Sequence, residues 1–351
     1  MKENKTKPKI LVCMSGGVDS SVAAALLVSS KKYDVTGAFM VNYDEPMPNG
    51  DSCYLPDYRD AVRVAAKLGI PILKLDFTKE YREKVLSYMF SEYEKGRTPN
   101  PDVMCNSFVK FGSWQKKAGE LGFDSIATGH YANFFNGKLM SAKDLNKDQT
   151  YFLHQLTLSQ LNKTLFPIGK YTKTQVRALA KKFKLPTAEK EESMGICFIG
   201  EVPMKEFLQK RIKPTPGNIV TSSGEIIGQH EGLPFYTIGE RHVGVKTNDN
   251  EPLYVLAKNI QTNELVVGNE NDELLFSKKV ELENVNWINP VKLPLKCEVR
   301  MRHRQQLQKC RVEINGGVVS VIFNKPERAV TPGQFAVFYK KGECLGGGAV
   351  L

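Results

Sequence analysis

The sequence predicts a mixed α/β fold in three parts: a parallel-sheet domain first, a small α+β domain in the middle, and a β-barrel last. Two observations carry this. Short apolar strand patterns alternate with helix patterns from residue 9 to residue 128, as βαβ units require. Beyond Pro214 the texture changes to brief alternating segments punctuated by Gly and Pro, which reads as hairpins and small sheets. A chain of 351 residues suits two or three domains of roughly 100–200 residues each.

Each element has its own signal. Residues 9–14 (KILVCM) form a short buried strand, and VAAALLV after it is a good helix former with an apolar face. Strands follow at Val35–Val41, Pro71–Leu75 and Ser125–Thr128, with helices at Arg59–Leu68, Thr78–Tyr93 and Phe108–Leu121. Thr172 can cap a helix through Phe183, with Val176, Leu179, Ala180 and Phe183 as its apolar stripe. LYVLA and ELVVG are β segments, and from about residue 280 six or so short strands predict a small barrel or sandwich. The domains are expected at 1–165, 166–278 and 279–351, with a segment near 190–211 returning to the first.

The composition is globular, at 41% apolar and 25% charged residues. A net charge of +11 favours a polyanionic partner, nucleic acid before a membrane surface, although an ordinary basic soluble protein has such a balance too. No apolar run approaches the ~20 residues of a membrane span, and the start MKENKTKPKI lacks a signal-peptide core. A cytoplasmic location is therefore expected, with Cys13, Cys53, Cys105, Cys197, Cys297, Cys310 and Cys344 as thiols. None form a CxxC pair, so a zinc knuckle is not expected.

The most informative stretch is Ser15–Ser21, SGGVDSS, set between a strand and a helix. Two glycines let the backbone turn sharply and approach a ligand. The N–H groups at the helix start then point at an anion, and Ser15, Ser20 and Ser21 add hydroxyls. Asp19 would repel phosphates unless it holds Mg²⁺ or orders the loop. The stretch lacks the GK[ST] of a Walker A loop and is not GxGxxG.

Two cysteine stretches follow. In PNPDVMC (99–105) the prolines stiffen the approach, and Asp102 and Cys105 face one site if a helix starts near Asp102. In ESMGICFI (192–199) Gly195 precedes Cys197. By their chemistry alone, the first reads better as a capped helix with a buried thiol and the second as a small core residue in a strand.

SGGVDSS, NPDVMCN, ATGHYA, KDQTYFL and GICFIG occur in that order. In all five the chain resembles the tRNA-specific 2-thiouridylases of the PP-loop ATP pyrophosphatase superfamily, from about Ile10 to the end. Only Ser193-Met194 before Gly195 departs from the usual pattern. The resemblance implies a Rossmann-like PP-loop domain and a sulfurtransferase that uses ATP and Mg²⁺ to thiolate the wobble uridine of tRNA. The uridine 2-carbonyl is adenylated, pyrophosphate leaves, and sulfur arrives as a persulfide on Cys197. A sulfur-donating protein, a cysteine desulfurase or a relay protein, would load it. Cys105 is the implied nucleophile, forming a transient disulfide with Cys197, and Asp102 the implied acid/base. ATP contacts are implied at Cys13, Met14, Ser15, Gly16, Gly17, Val18, Asp19, Ser20, Ser21, Met40 and Gly129. Base or tRNA contacts are implied at Asn100, Pro101, Asp102, Lys147, Asp148, Gln149, His303 and Arg304; without the resemblance, the KDQ at 147–149 reads as a solvated turn.

The stretch CEVRMRHRQ adds a reading of its own. Alternation sets Cys297, Val299, Met301 and His303 on one strand face, and Arg300, Arg302 and Arg304 on the other. Such an arginine row suits phosphate contacts, or is a solvated face. Among the five histidines no pair has zinc-protease spacing. Trp114 and Trp287 are expected in the core.

Overall fold

The computed structural model describes residues 6–47, 50–192, 203–241, 243–245 and 251–351. KILVC (β1, Lys9–Cys13) and DVTGAFMV (β2, Asp34–Val41) are nearly unbroken apolar runs, as strands covered on both faces must be. With β3 (Ile72–Asp76), β4 (Ser125–Ala127) and a strand at Thr164–Leu165 they form a parallel sheet. Its order is Ile72–Asp76, Asp34–Val41, Lys9–Cys13, Ser125–Ala127, Thr164–Leu165. The predicted strands are thus present with ends shifted by a residue or so.

Helix α1 (Val18–Ser30) buries Val18, Val22, Ala23, Ala24, Ala25 and Leu27 against one sheet face. Helix α2 (Leu55–Leu68) starts earlier than predicted because Pro56 fits its first turn, and it ends on Gly69 in the left-handed conformation. The predicted 78–93 and 108–121 helices form with wide π-helical middles, Arg82–Leu86 and Cys105–Trp114. Thr172 caps Lys173–Lys182 in a reciprocal capping box with Gln175. Val176 and Ala180 of that helix lie in the same core as α1, so packing in the first domain runs on past residue 165.

The middle region is a four-stranded sheet, ordered Tyr254–Asn259, Glu264–Gly268, Gly217–Thr221, Ile226–His230. Before it, helix Met204–Gln209 returns to the first domain, where Phe207 stacks on Phe90 at 5.7 Å. The last region closes a six-stranded antiparallel barrel from Phe276–Trp287, Leu295–Arg300, Gln308–Asn315, Val318–Arg328, Phe335–Lys340 and Glu343–Val350. Trp287 stacks on Phe338 at its wall and Trp114 is fully buried in the first domain.

The expected arginine row does not form. The strand stops at Arg300, and residues 301–304 turn. Arg300 is 9% exposed, over the Tyr339 ring and 3.5 Å from Asp148. The Arg302 guanidinium donates to the Ala329 carbonyl and the Thr331 hydroxyl. Arg300 turns inward onto Asp148 of the first domain, and Arg302 onto acceptors of the barrel itself and the Ile238 carbonyl. Arg304 alone of the three is exposed, at a positive φ of 66°.

Barrel and first domain share a seam. The hairpin Asn133–Phe135/Lys138–Met140 extends the barrel sheet by pairing with Glu343–Val350. Asn286 Nδ2 donates to the carbonyls of His154 and Leu156, and the Tyr151 hydroxyl lies 3.1 Å from the Phe335 carbonyl and 3.2 Å from that of Met301. His154, fully buried in this seam, has its pKa lowered to about 4 by burial, against a weaker raising effect of its bond to the Tyr151 carbonyl. The folded value lies below the ordinary 6.5, so the unfolded chain binds the proton more readily between those values. The stability held by neutral His154 is full above pH 6.5 and falls as pH drops toward 4, by about 3 kcal/mol. Urea unfolding of wild type and His154→Gln at pH 7.5, 6 and 5 is expected to show a shallower acid loss in the variant.

Candidate active site

The SGGVDSS loop follows β1 and leads into α1. Ser15 N–H donates to Ser20 Oγ, and the Ser20 and Ser21 hydroxyls donate to the Gly17 carbonyl, which holds the turn in shape. Met14 N–H donates to the Ala38 carbonyl and ties the loop to β2. Gly16 sits at φ +77°, and a Cβ there would fall 2.3 Å from the Asp57 carbonyl oxygen. Gly129, after β4, packs on the same loop: a Cβ would come within 2.7 Å of Ser20 N. The loop backbone is therefore cradled by two positions that only glycine fits. Cys13 and Gly17 are half-buried and Val18 buried; Ser15 is exposed at the mouth. Met40 is buried at the same end of β2. A turn leading into the N-terminus of a 13-residue helix suits a polyphosphate.

Asp19 resolves the puzzle it poses in the sequence. Its carboxylate accepts from Lys173 Nζ at 2.8 and 2.9 Å and from the Tyr131 hydroxyl at 2.9 Å. Asp19 thus orders the loop, and its charge is neutralised before any phosphate arrives. Burial, then the Asp19 charge, pushes the Tyr131 phenol far above its usual range, so it stays a donor. With Asp19 so engaged, and no group of three or more possible metal ligands among the described residues, the residues do not build a protein Mg²⁺ site. Lys173 also reaches Glu192 at 3.1 Å, and Lys147 reaches Glu192 at 2.6 Å. The Lys147 hydrogen bond, more than that of Lys173, lowers the Glu192 pKa to about 2. Sequence reasoning missed Lys173, Tyr131 and Glu192. Only the Thr172 capping signal, which places Lys173 at a helix start, hinted at one of them.

The Asp102 helix starts where its sequence allows. Asn100 caps it, Oδ1 accepting from Val103 N–H, and Pro101 fills the first position. Asp102 and Cys105 are one turn apart on a continuous helix. Cys105 is fully buried in a core that includes Leu11 of β1 and Met40 of β2, so the thiol helix is set against the strands that carry the loop. The entry to this helix is fixed by the barrel: Thr98 N–H donates to the Pro332 carbonyl, and Gln334 Nε2 donates to the Thr98 and Pro99 carbonyls. Cys197 lies outside the described residues, as do Ser193, Met194 and Gly195.

KDQ is not a solvated turn. Asp148 is 2% exposed. Its carboxylate accepts from Ala142 N–H and the Thr150 hydroxyl and faces Arg300, while burial raises its pKa. The Asp148 side chain thus holds this turn in shape. Lys147 is half-buried on Glu192, and Gln149 accepts from Tyr131 N–H. His303 packs on Phe152 at 4.4 Å, its Nε2 3.0 Å from the Asp148 carbonyl oxygen. His130 is buried against Thr128 and Phe111, with its pKa far below the usual value through burial; it too is structural.

Comparison with known proteins agrees with the geometry. The tRNA methyl transferase HUP domain family matches residues 8–201, the tRNA methyl transferase PRC-barrel domain residues 205–269, and the aminomethyltransferase beta-barrel domain residues 277–350. A tRNA-specific 2-thiouridylase of Geobacillus thermodenitrificans is 45% identical over 100% of this chain and 96% of its own. One from Bacillus subtilis is 44% identical over the same shares, and one from Levilactobacillus brevis 45% identical over 98% and 95%. The chain belongs to the tRNA-specific 2-thiouridylase family. ATP use follows from this family's PP-loop domain, here SGGVDSS. Among the described residues no helix is long and apolar enough to cross a membrane.

Two predictions follow for a family member built this way. Lys173→Met leaves the Asp19 carboxylate without its neutralising cation, held by the Tyr131 hydroxyl beside the phosphate loop. Because charge-assisted hydrogen bonds are worth about 1.5–3 kcal/mol, ATP affinity measured by calorimetry is expected to fall roughly 10- to 100-fold. Asp148→Ala strands the buried Arg300 guanidinium, and urea unfolding is expected to show a loss of roughly 3–5 kcal/mol.

Proposed function

We propose that this chain catalyses ATP-dependent 2-thiolation of the wobble uridine of tRNA. The observation that supports it most is the Asn100–Cys105 helix start packed against the strands bearing the SGGVDSS loop. A carboxylate and a thiol one turn apart then share a core with the strands that bear the polyphosphate cradle, within a chain whose relatives are named for that activity.

The loop amides and the α1 N-terminus hold the β and γ phosphates and take up the pyrophosphate that leaves. The uridine O2 attacks the α-phosphorus, and the O2–P bond that forms makes AMP the leaving group at C2. Asp102 moves the uracil N3 proton in step with these changes. The base reaches the site only when turned out of the anticodon stack, against Asn100 and Pro101. The terminal sulfur of a Cys197 persulfide, loaded by a sulfur-donating protein, attacks C2 and AMP departs. Cys105 then attacks the inner sulfur of Cys197. The carbon–sulfur group is released as 2-thiouridine, a Cys105–Cys197 disulfide remains, and two electrons from a thiol reductant reset it. Mg²⁺ accompanies ATP through its phosphates. Arg304, exposed on the barrel turn, and Lys147, released from Glu192, are the cations proposed to meet the tRNA backbone.

The test is nucleoside mass spectrometry of unmodified tRNA after incubation with ATP, Mg²⁺, cysteine and a cysteine desulfurase. Wild type is expected to give 2-thiouridine. Cys197→Ser and Cys105→Ser are expected to give none while tRNA-dependent pyrophosphate release continues. Undiminished thiolation by Cys197→Ser would overturn the sulfur route.

A further inference from the structure

The middle sheet sets a lysine on an apolar face. In the strand Tyr254–Asn259 the register slips between Val255 and Ala257, so that Val255 pairs with Val267 and Lys258 with Leu265. Simple alternation would turn Lys258 away from the face of Val255; the bulge puts it on that face, with Leu265 and Val267. From there its Nζ donates to the Gly96 carbonyl of the first domain at 3.0 Å. Burial lowers the Lys258 pKa to about 8, more than the nearby Glu240 carboxylate raises it. Hiding a cation this far costs stability, and a bulge that re-aims a side chain onto another domain calls for a reason. Ile260 covers the same glycine. Gly96 lies at φ +73°, and a Cβ there would come 2.9 Å from Ile260 Cδ1.

Gly96 closes the end of the helix Ser87–Glu94 in the left-handed conformation, its N–H donating to the Tyr93 carbonyl. Arg97, Thr98 and Pro99 then lead to Asn100, the cap of the Asp102 helix. The barrel grips this short run through Glu283 on Arg97, the Pro332 carbonyl on Thr98 N–H, and Gln334 on the Thr98 and Pro99 carbonyls. Those bonds fix where the run lies. A second anchor upstream, on Gly96, fixes its direction, and the middle domain supplies that anchor. We propose that Lys258 is a positioning residue for the reaction: it sets the direction in which residues 96–99 enter the Asn100–Cys105 helix, and so aims Asp102 and Cys105 at the reacting base. This rests on the thiolation reading above, in which Lys258 touches neither ATP nor the uridine.

Steady-state kinetics on unmodified tRNA, with ATP, Mg²⁺, cysteine and an excess of a cysteine desulfurase, test it in wild type, Lys258→Met and Lys258→Arg. Lys258→Met removes the donor and keeps the apolar stem. Its kcat is expected to fall roughly 10- to 100-fold, the loss that about an ångström of misplacement brings, both in tRNA-dependent pyrophosphate release and in 2-thiouridine formation. Its ATP and tRNA Kd are expected to stay within about threefold of wild type. The phosphate loop is held by its own bonds, and tRNA affinity is carried mainly by phosphate contacts. Lys258→Arg, which donates to the same carbonyl, is expected to recover most of the rate. An unchanged kcat in Lys258→Met, or weaker ATP and tRNA binding with kcat intact, would make Lys258 a support of the fold only and overturn the proposal. An arginine variant as slow as the methionine one would overturn the hydrogen bond as the cause. If Lys258→Met fails to fold, as lost ATP binding reports, Lys258→Gln is compared with Lys258→Arg instead: a slower glutamine variant supports the proposal and equal rates overturn it. A wild type that makes no 2-thiouridine would overturn the thiolation reading and this inference with it. An active wild type beside an undiminished Lys258→Met overturns this inference alone.

Discussion

Gln334 of the barrel holds the Thr98 and Pro99 carbonyls, and Thr98 N–H in turn holds the Pro332 carbonyl. These few bonds fix where Asn100 can cap a helix, and so where Asp102 and Cys105 stand. A proline-rich entry loop has few N–H groups of its own to satisfy and few bonds to make internally. Something outside must position it, and the barrel does. The last domain thus sets the geometry of chemistry carried by the first.

The same seam explains the buried charges. Asp148 and Arg300 meet where the first domain covers the barrel end, each supported by its surroundings, through Ala142 and Thr150 for one and the Tyr339 ring for the other. A buried pair adds little net stability over apolar packing, but it penalises any other docking of the two parts. A cluster of neutral groups, His154 and Tyr151 among them, completes a seam that is polar yet largely satisfied. Rigid docking matters for the role proposed for Asp102, because an error of an ångström there would be an error at the reacting base.

At the nucleotide end the logic is electrostatic. Asp19 would oppose a polyphosphate by itself. Lys173 and Tyr131 convert it into a strut that shapes the loop. Lys173 reaches on to Glu192, so one lysine joins the phosphate loop to residue 192, just ahead of the stretch that carries Cys197.

The parallel sheet, α1, the capped helix after Thr172 and the six-strand barrel were legible in the sequence, because strand and helix periods and cap residues act locally. The phosphate loop was legible for the same reason, since Gly16 answers to a close backbone contact that no other residue tolerates. The Asp102–Cys105 helix start was readable from Asn100 and Pro101, but the closeness of its thiol to the sheet core was not. Alternation in CEVRMRHRQ foretold an exposed arginine row; the structure ended the strand at Arg300 and turned two of the three inward. Period-two patterning reports which side chains share a face, and says nothing of what another domain lays over it. For the same reason KDQ read as a surface turn while Asp148 is buried. Lys173 belongs to this second class as well. Its partner Asp19 lies far off in sequence, and only the folded chain brings the two together.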